Sequence, residues 1–209
     1  VWIKMNRVGF GYYDREHDTL EPFFNSRGEL FTNGTACFAI DSTNILWMST
    51  TERGLEKITI IDKKAEVVVP GGRSDNRASS EVRALLNDSN GNIWVATKSS
   101  DLMMYDSGMH LLRAYPDPRP GYIGMIYAMK EDSQGNIWLG TKGDGVIRMK
   151  PEADGSYSFR KFRHDPSDRF SLTNDQIYSI EEDNDGRIWF GLYGGGVCML
   201  EHSDSDRFI

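Results

Sequence analysis

The sequence predicts an all-β fold of four-stranded antiparallel β-propeller blades, about four of them complete and preceded by a partial N-terminal blade. The first observation is a repeat, because all five tryptophans stand in one pattern, with spacings of 45, 47, 44 and 51 residues. The second is a turn sequence before most of them, and the third is a series of short apolar runs without helical periodicity. Repeats of this length, with several short strands each, are typical of propeller blades. The tryptophans are Trp2, Trp47, Trp94, Trp138 and Trp189.

A tight turn is predicted before the tryptophan of each of the last three repeats. Glycine stands three residues before that tryptophan, and aspartate stands six residues before it. Glycine accepts the positive φ that such turns need, and an aspartate side chain can bond its own backbone. The turn glycines are Gly91, Gly135 and Gly186, and the aspartates are Asp88, Asp132 and Asp183.

The four strands of each repeat follow in order around this turn. The first strand precedes the turn and the second carries the tryptophan, which predicts strand pairs at 82–87 and 92–97, 126–131 and 136–141, and 177–182 and 187–192. A second glycine leads to a third strand and then a looser fourth, as at 102–106 and 110–115 or 146–150 and 157–163. The tryptophan side chains are expected to pack between neighbouring blades and to bury on the order of 150–250 Å² each.

The whole chain, 1–209, is interpreted as one propeller segment. The predicted blades are a partial one at 1–34 that lacks its first strand, followed by 35–81, 82–125, 126–176 and 177–209. Because a partial blade opens the chain, we expect a piece of a longer protein, which forms either an incomplete ring or a small ring closed by its two ends.

Composition and charge disfavour several classes of function. The chain has the 39% hydrophobic and 26% charged residues of a globular protein, and its net charge of −7 argues against nucleic acid and anionic membrane surfaces as partners. Within this sequence no run reaches the length of a transmembrane helix and no signal-peptide pattern occurs, so any export signal is expected to lie upstream. Cys37 and Cys198 hold non-equivalent repeat positions, so we expect buried packing residues rather than a disulfide or metal ligands. No cofactor is expected.

Two copies of the repeat read Asp-Ser-Gln-Gly-Asn-Ile-Trp-Leu-Gly-Thr (132–141) and Asp-Ser-Asn-Gly-Asn-Ile-Trp-Val-Ala-Thr (88–97). They resemble the two-component regulator propeller repeat, in which a Gly-hydrophobic pair and a Tyr-Asp follow. The stretch 163–177 is also similar to the inter-blade connection of hybrid two-component sensors in Bacteroides-type bacteria. The sequence departs from the repeat pattern at Asn44, Ile45, Ser49, Ser100 and Asp101.

The resemblance implies the periplasmic sensor region of a hybrid two-component protein, in which a membrane span, a histidine kinase and a regulator follow. It also implies a polysaccharide breakdown product as the stimulus and signalling through dimers. The implied partners are therefore an oligosaccharide, the remaining blades of the parent chain and a second copy. The chain carries no kinase motif, so this segment is expected to be non-catalytic and to meet a membrane only through a downstream segment.

Candidate ligand-binding residues lie in the loops between blades, because propeller ligands usually bind one face near the channel. The proline-rich loop 115–122 is the most distinctive, since its tyrosine can stack on a sugar ring while arginine and aspartate bond hydroxyls or a carboxylate. We expect binding at Asp117, Arg119 and Tyr122, with Arg83 and Asn174 as further candidates. In the structural interpretation, the prolines only stiffen a surface connection and Asn174 is a turn residue.

Other functions find less support in the residues. A calcium role is disfavoured because the turns lack the bidentate glutamate of an EF-hand loop. A sialidase-type hydrolase would need an arginine cluster and placed catalytic groups, and no pair of carboxylates is singled out. A streptogramin-type lyase would need a histidine in a polar pocket, whereas exposed or capping roles are expected for His17, His110, His164 and His202. A protein-interaction scaffold stays open as the alternative to ligand sensing.

Overall fold

A computed structural model describes residues 2–5, 9–24, 28–29, 37–40, 45–50, 54–60, 64–68, 82–99, 102–115 and 123–209. These residues form β-strands and turns, and the strands pair in five antiparallel sheets in chain order. The all-β propeller-blade fold predicted from the sequence is confirmed. No helix in the described ranges is both long and apolar enough to span a membrane.

The first two sheets contain three and four described strands. The first consists of β1 (Trp2–Met5), β2 (Gly9–Asp14) and β3 (Thr19–Pro22). The second consists of β4 (Phe38–Ile40), β5 (Ile45–Thr50), β6 (Gly54–Thr59) and β7 (Lys64–Val68).

The third and fourth sheets have the complete four-stranded form. The third consists of β8 (Val82–Asn87), β9 (Ile93–Thr97), β10 (Leu102–Tyr105) and β11 (Leu111–Tyr115). The fourth consists of β12 (Ile126–Glu131), β13 (Ile137–Thr141), β14 (Val146–Pro151) and β15 (Tyr157–Phe162). In both sheets the first strand has its predicted bounds, and the second begins one residue later than predicted.

The fifth sheet has three strands, β16 (Ile177–Glu182), β17 (Ile188–Leu192) and β18 (Gly196–Leu200). Beyond them, the backbones of Ile209 and Met199 exchange two hydrogen bonds of 2.9 Å. Ile209 therefore takes the place beside β18 that a fourth strand occupies in the preceding sheets.

The turn between the first and second strands has the predicted geometry. Gly91, Gly135 and Gly186 have φ angles of 81°, 81° and 78°, which only glycine adopts without strain. In each turn the glycine N–H donates to the carbonyl of the aspartate three residues earlier, as from Gly135 to Asp132 at 2.9 Å. The sequence therefore determines this hairpin locally.

The core lies between successive sheets, and the tryptophans fill it. Trp94 stacks on Tyr115 of its own sheet with 5.9 Å between ring centroids, and meets Tyr157 of the next sheet edge-on at 5.5 Å. Burial raises the pKa of both tyrosines. Trp47, Trp94 and Trp138 are fully buried, whereas Trp189 of the fifth sheet is 38% exposed.

The first strands of consecutive sheets lie side by side. β12 contacts β8 on one side and β16 on the other, which places these three strands innermost and the fourth strands outermost. The described strands do not close into a ring, because no described strand of the first sheet packs extensively against a strand of the fifth sheet. The innermost strands of neighbouring sheets therefore lie side by side, and a ligand site can form between them.

Candidate ligand-binding site

One residue near the start of each innermost strand is left out of the pairing with the second strand. In β12 the ladder steps from Ile126 to Ala128, so Tyr127 has no residue opposite it. Arg83 in β8 and Tyr178 in β16 are left out in the same way. Such a bulge re-aims the extra side chain. In these three blades the repeat therefore presents one selected side chain at the same end of the innermost strand.

Three tyrosines, Tyr127, Tyr178 and Tyr193, form what we call the tyrosine row. The ring centroids of Tyr127 and Tyr178 are 5.2 Å apart, and those of Tyr178 and Tyr193 are 5.7 Å apart. Both contacts are tilted, at 38° and 36°, so the rings overlap only in part. Tyr178 is 46% exposed and Tyr193 is 65% exposed. The row therefore offers aromatic surface to solvent across two blades.

Two cations adjoin the Tyr127 end of the row. The guanidinium carbon of Arg83 lies 5.7 Å from the centroid of the Tyr127 ring, and Nζ of Lys142 lies 5.9 Å from it. At these distances the electron-rich face of an aromatic ring attracts a cation. The site thus changes from cationic at Arg83 and Lys142 to aromatic at Tyr193.

The turns that carry Lys142 and Tyr193 are held by equivalent backbone bonds. The N–H of Lys142 donates to Met125 O at 2.8 Å, and the N–H of Tyr193 donates to Gln176 O at 2.9 Å. Lys142 and Gln176 also form a bridge between neighbouring sheets. These bonds fix the turn after each second strand to the segment that enters the first strand.

Acidic groups near the Lys142 turn are already paired. The Asp175 carboxylate accepts from the His164 N–H at 2.6 Å and lies 3.5 Å from Nε of Arg163. Asp144 lies 3.6 Å from Nζ of Lys161. The Asp175 carbonyl additionally accepts from the N–H groups of Gly143 and Gly145, at 3.0 and 2.9 Å. Backbone hydrogen bonds therefore tie this turn to the segment that enters the next blade, and the ion pair between Asp144 and Lys161 ties it to β15 of its own blade.

The residues predicted as ligand-binding are found in different places. Asp117, Arg119 and Tyr122 lie outside the described residues. Arg83 lies next to the tyrosine row. Asn174 accepts a hydrogen bond of 2.8 Å from the N–H of Gln176, the geometry of a turn that precedes β16. Of the two candidates that the structure describes, Arg83 lies beside the tyrosine row and Asn174 forms a turn, and binding at any of the five residues stays a prediction.

Sequence reasoning missed the tyrosine row and Lys142. The repeat contained the signal, because Tyr127 and Tyr178 stand five residues before the turn aspartate, as Arg83 does. Lys142 and Tyr193 likewise stand four residues after their tryptophans. Comparing what occupies these two positions in each blade would have identified the site.

The turn aspartates have structural partners. Asp132 Oδ2 accepts from Trp138 Nε1 at 2.7 Å, and Oδ1 accepts from the backbone of Gln134 and Asn136 at 3.0 and 2.9 Å. Asp88 and Asp183 bind Trp94 and Trp189 in the same way, at 2.9 and 2.7 Å. These bonds occupy the carboxylate oxygens and disfavour the turns as calcium sites.

One group of side chains in the described ranges has the composition of a metal site. Ligand atoms of Asp14, Glu16 and His17 all lie within 4.8 Å of one another in the turn after β2. Asp14 already accepts from the Glu16 N–H and from His17 Nδ1, both at 2.8 Å. These exposed contacts are those of a turn that an aspartate closes.

The cysteines and histidines have ordinary surroundings. Neither cysteine forms a disulfide. Cys198 is buried, as expected, whereas Cys37 packs against a core cluster but is only half-buried, which corrects the prediction that both are buried. Sγ of Cys37 lies 3.1 Å from Oγ of Ser49, and this polar contact explains why Cys37 is not simply an apolar core group. All four histidines are exposed.

Three segments of the chain, 76–99, 123–143 and 171–194, match the two component regulator propeller family. The chain contains two component regulator propeller repeats. Each matched segment spans a first strand, its turn and the tryptophan strand. No match was found among curated proteins.

Solved structures share the fold. The extracellular domain of the proposed hybrid two component system BT4673 from B. thetaiotaomicron superposes with a TM-score of 0.70 at 21% identity, over 92% of this chain and 24% of that one. That of the proposed hybrid system BT3049 from the same organism gives 0.58 at 18% identity, over 95% and 31%. This chain thus spans about a quarter to a third of those relatives.

Enzymes are among the similar structures as well. A catalytically inactive virginiamycin B lyase from Staphylococcus aureus, solved with quinupristin, superposes with a TM-score of 0.56 at 15% identity. The alignment covers 83% of this chain and 57% of the lyase. Propeller blades of this kind therefore occur both in extracellular domains of sensory systems and in a lyase.

Proposed function

We propose that this chain is a non-catalytic ligand-sensing segment of the periplasmic part of a two-component receptor, and that it binds oligosaccharide. The tyrosine row carries this proposal. Three tyrosines from two blades expose increasing amounts of ring surface, up to 65% at Tyr193. They stand at bulge and turn positions that the repeat itself does not require to be aromatic, since Arg83 and Lys142 occupy the same positions in neighbouring blades.

The chemistry of the row suits a sugar chain. An aromatic face provides an apolar platform for the C–H face of a pyranose ring, while the phenolic hydroxyls can exchange hydrogen bonds with sugar hydroxyls. Centroid separations of 5.2 and 5.7 Å are comparable with the size of one sugar ring. A short oligosaccharide can therefore lie along the row with successive rings against successive tyrosines.

The comparisons support a sensory rather than a catalytic role. The repeat belongs to two component regulators, and the similar domains from B. thetaiotaomicron are extracellular. Because the lyase is also similar in fold, incubation with oligosaccharides followed by chromatography is the direct test of catalysis. We expect the sugars to be recovered intact.

Calorimetric titration of the chain with a panel of neutral and acidic oligosaccharides tests binding. We expect one glycan class to bind, and Tyr178→Ala or Tyr193→Ala to abolish that binding. Tyr12→Ala is the matched control, because Tyr12 is 37% exposed but lies on the first sheet. Failure of every glycan to bind, or equal loss in the Tyr12 variant, contradicts the proposal.

An exposed apolar face on the fifth sheet favours an additional protein partner. Trp189 and Val197 are 38% and 61% exposed, whereas Trp138 and Val146, their equivalents one blade earlier, are fully buried by the next sheet. We propose that a further blade of the parent chain covers this face. A second copy of the chain is the alternative partner for the same face. Blue-shifted Trp189 fluorescence in a longer polypeptide, at unchanged oligomeric state, supports the blade. The same shift upon dimerisation of this chain supports the second copy.

A scaffold that binds unrelated proteins is the alternative to glycan sensing. Such a scaffold would be recovered together with those proteins and would show no response to glycans.

A further inference from the structure

We infer that the tyrosine row selects acidic oligosaccharides, and that Arg83 and Lys142 bind an anionic group on the sugar beside Tyr127. This inference rests on the proposed function and specifies its substrate class. Its observation is the juxtaposition of two cations from different blades with one aromatic ring, at 5.7 and 5.9 Å.

Two equivalent positions per blade determine the charge along the site. One is the bulge residue of the innermost strand, and the other lies four residues after the tryptophan. In the third sheet both positions are cationic, Arg83 and Lys98. In the fourth sheet one is aromatic and one cationic, Tyr127 and Lys142. In the fifth sheet both are aromatic, Tyr178 and Tyr193. The shared scaffold thus gives the site a cationic end and an aromatic end.

The positive charge of Lys142, at the cationic end of the site, is not neutralised by nearby acidic groups. Lys142 is exposed and forms no ion pair with any described residue. The nearby acids are paired elsewhere, Asp144 with Lys161 and Asp175 with Arg163. Contact with the Tyr127 ring holds the ammonium group near the row without cancelling its charge.

The overall charge makes local recognition necessary. The chain carries a net charge of −7, so an anionic sugar is repelled at long range. Salt screens that repulsion beyond a Debye length of about 8–10 Å, whereas direct contacts with an ammonium and a guanidinium act at hydrogen-bond distance. Arginine can bind a carboxylate through two parallel hydrogen bonds, and lysine adds a point charge. Lys142 and Arg83 both adjoin the Tyr127 ring, so an anionic substituent bound beside this ring is attracted by both charges.

Calorimetry with matched ligands tests the inference. The probes are a uronic acid trisaccharide, a neutral hexose trisaccharide with the same linkage, and a sulfated trisaccharide. We expect an acidic probe to bind about tenfold more tightly than the neutral one, as one charge-assisted contact allows, and the preference to shrink as salt is raised. Preference for the uronate identifies a carboxylate, and preference for the sulfated probe identifies a sulfate.

Variants separate the cations from the row. Lys142→Met and Arg83→Met should each lower the affinity for the acidic probe more than the affinity for the neutral probe, so that the acidic preference is lost. Lys150→Met is the matched control, because Lys150 is exposed on the same sheet but pairs with Asp204 at 3.4 Å; it should change nothing. Unchanged circular dichroism spectra verify that each variant folds.

The outcomes distinguish this inference from the proposed function. Equal affinity for neutral and acidic probes overturns the acidic preference and leaves oligosaccharide sensing intact. An equal loss of neutral and acidic binding in Lys142→Met also overturns it, because the lysine would then only shape the site. Absence of binding by all three probes, together with the rest of the panel, overturns both.

Discussion

The indole Nε1 of Trp138 donates a hydrogen bond of 2.7 Å to the carboxylate of Asp132, and both side chains are buried. The same carboxylate accepts from two backbone N–H groups of its turn, and Asn136 Nδ2 also donates to it at 2.9 Å. One aspartate therefore couples the hairpin turn to the tryptophan that fills the space between two sheets. This pair explains why the two residues recur at a fixed separation in the repeat.

Replacing Asp132 by alanine should be strongly destabilising. The change leaves a buried indole N–H and two backbone N–H groups without their acceptor, so we expect the free energy of unfolding to fall by about 2–4 kcal/mol. Urea unfolding measures the effect. Asp183→Ala removes the equivalent carboxylate where Trp189 is 38% exposed, and water can replace the lost bonds. An Asp183 variant as unstable as the Asp132 variant would contradict this explanation.

Stability should depend on pH through the fifth-sheet turn. The hydrogen bond from Trp189 and then the Arg187 side chain hold the pKa of the Asp183 carboxyl well below its usual range. Because the folded pKa is lower than the unfolded value of about 3.9, the carboxylate stabilises the fold above that pH and loses its effect as pH falls.

The comparison with Asp183→Asn isolates this contribution. The melting temperature of the native chain should exceed that of the variant near neutral pH, and the gap should narrow from about pH 5 towards pH 2. The pKa values of Asp14, Asp106 and Asp165 are also lowered, chiefly by hydrogen bonds, so both proteins lose stability in acid. A gap that stays constant with pH would show that Asp183 acts without titrating.

Most of the fold could be predicted because its determinants are local. A glycine with positive φ, an aspartate three residues before it and a tryptophan three residues after it specify a hairpin within seven residues, as in 132–138. The repeat then places the same hairpin in the third, fourth and fifth sheets. Exposure of Trp189 could not be predicted in this way, since burial of the tryptophan depends on the following sheet rather than on its own turn.

The site could be predicted only in part because it is assembled between blades. Tyr127 and Tyr178 meet through bulges on different strands, and no local pattern states that the two rings touch. Arg83 was identified because it enters a first strand, but its neighbour Lys142 comes from another blade. Binding at Asp117, Arg119 and Tyr122 stays a prediction, since those residues lie outside the described ranges.

Glutamates at the ends of innermost strands should stabilise the contacts between blades. The Glu182 carboxylate accepts from the N–H and the hydroxyl of Ser133 in the preceding blade, at 2.8 and 2.7 Å, and Glu131 binds Ser89 in the same way. Glu182→Ala should lower the free energy of unfolding by about 1–2 kcal/mol, and Glu182→Gln should lose less, since its amide oxygen still accepts.

The adjacent Glu181 provides the control for Glu182. Its side chain is exposed and pairs with Lys130, and such surface pairs contribute about 0–1 kcal/mol. Thermal unfolding of Glu181→Gln should therefore resemble that of the native chain. If Glu182→Ala is as stable as Glu181→Gln, the bonds from Ser133 to Glu182 do not hold the blades together.

Replacement by alanine should destabilise Gly145 more than Gly135, because only at Gly145 would the new Cβ collide with backbone atoms. Gly135 has φ +81°, and no atom lies within 4 Å of the place that an alanine Cβ would occupy, so Gly135→Ala costs only the conformational penalty of about 1–2 kcal/mol. Gly145 has φ +74°, and a Cβ there would lie 2.0 Å from the Phe162 carbonyl oxygen. Gly145→Ala should cost more, because the turn that carries Lys142 must move, and it should also weaken glycan binding. Chemical denaturation and calorimetry of both variants measure the two effects. Equal destabilisation, with glycan affinity preserved in Gly145→Ala, would show that the turn accommodates the methyl group without displacing Lys142.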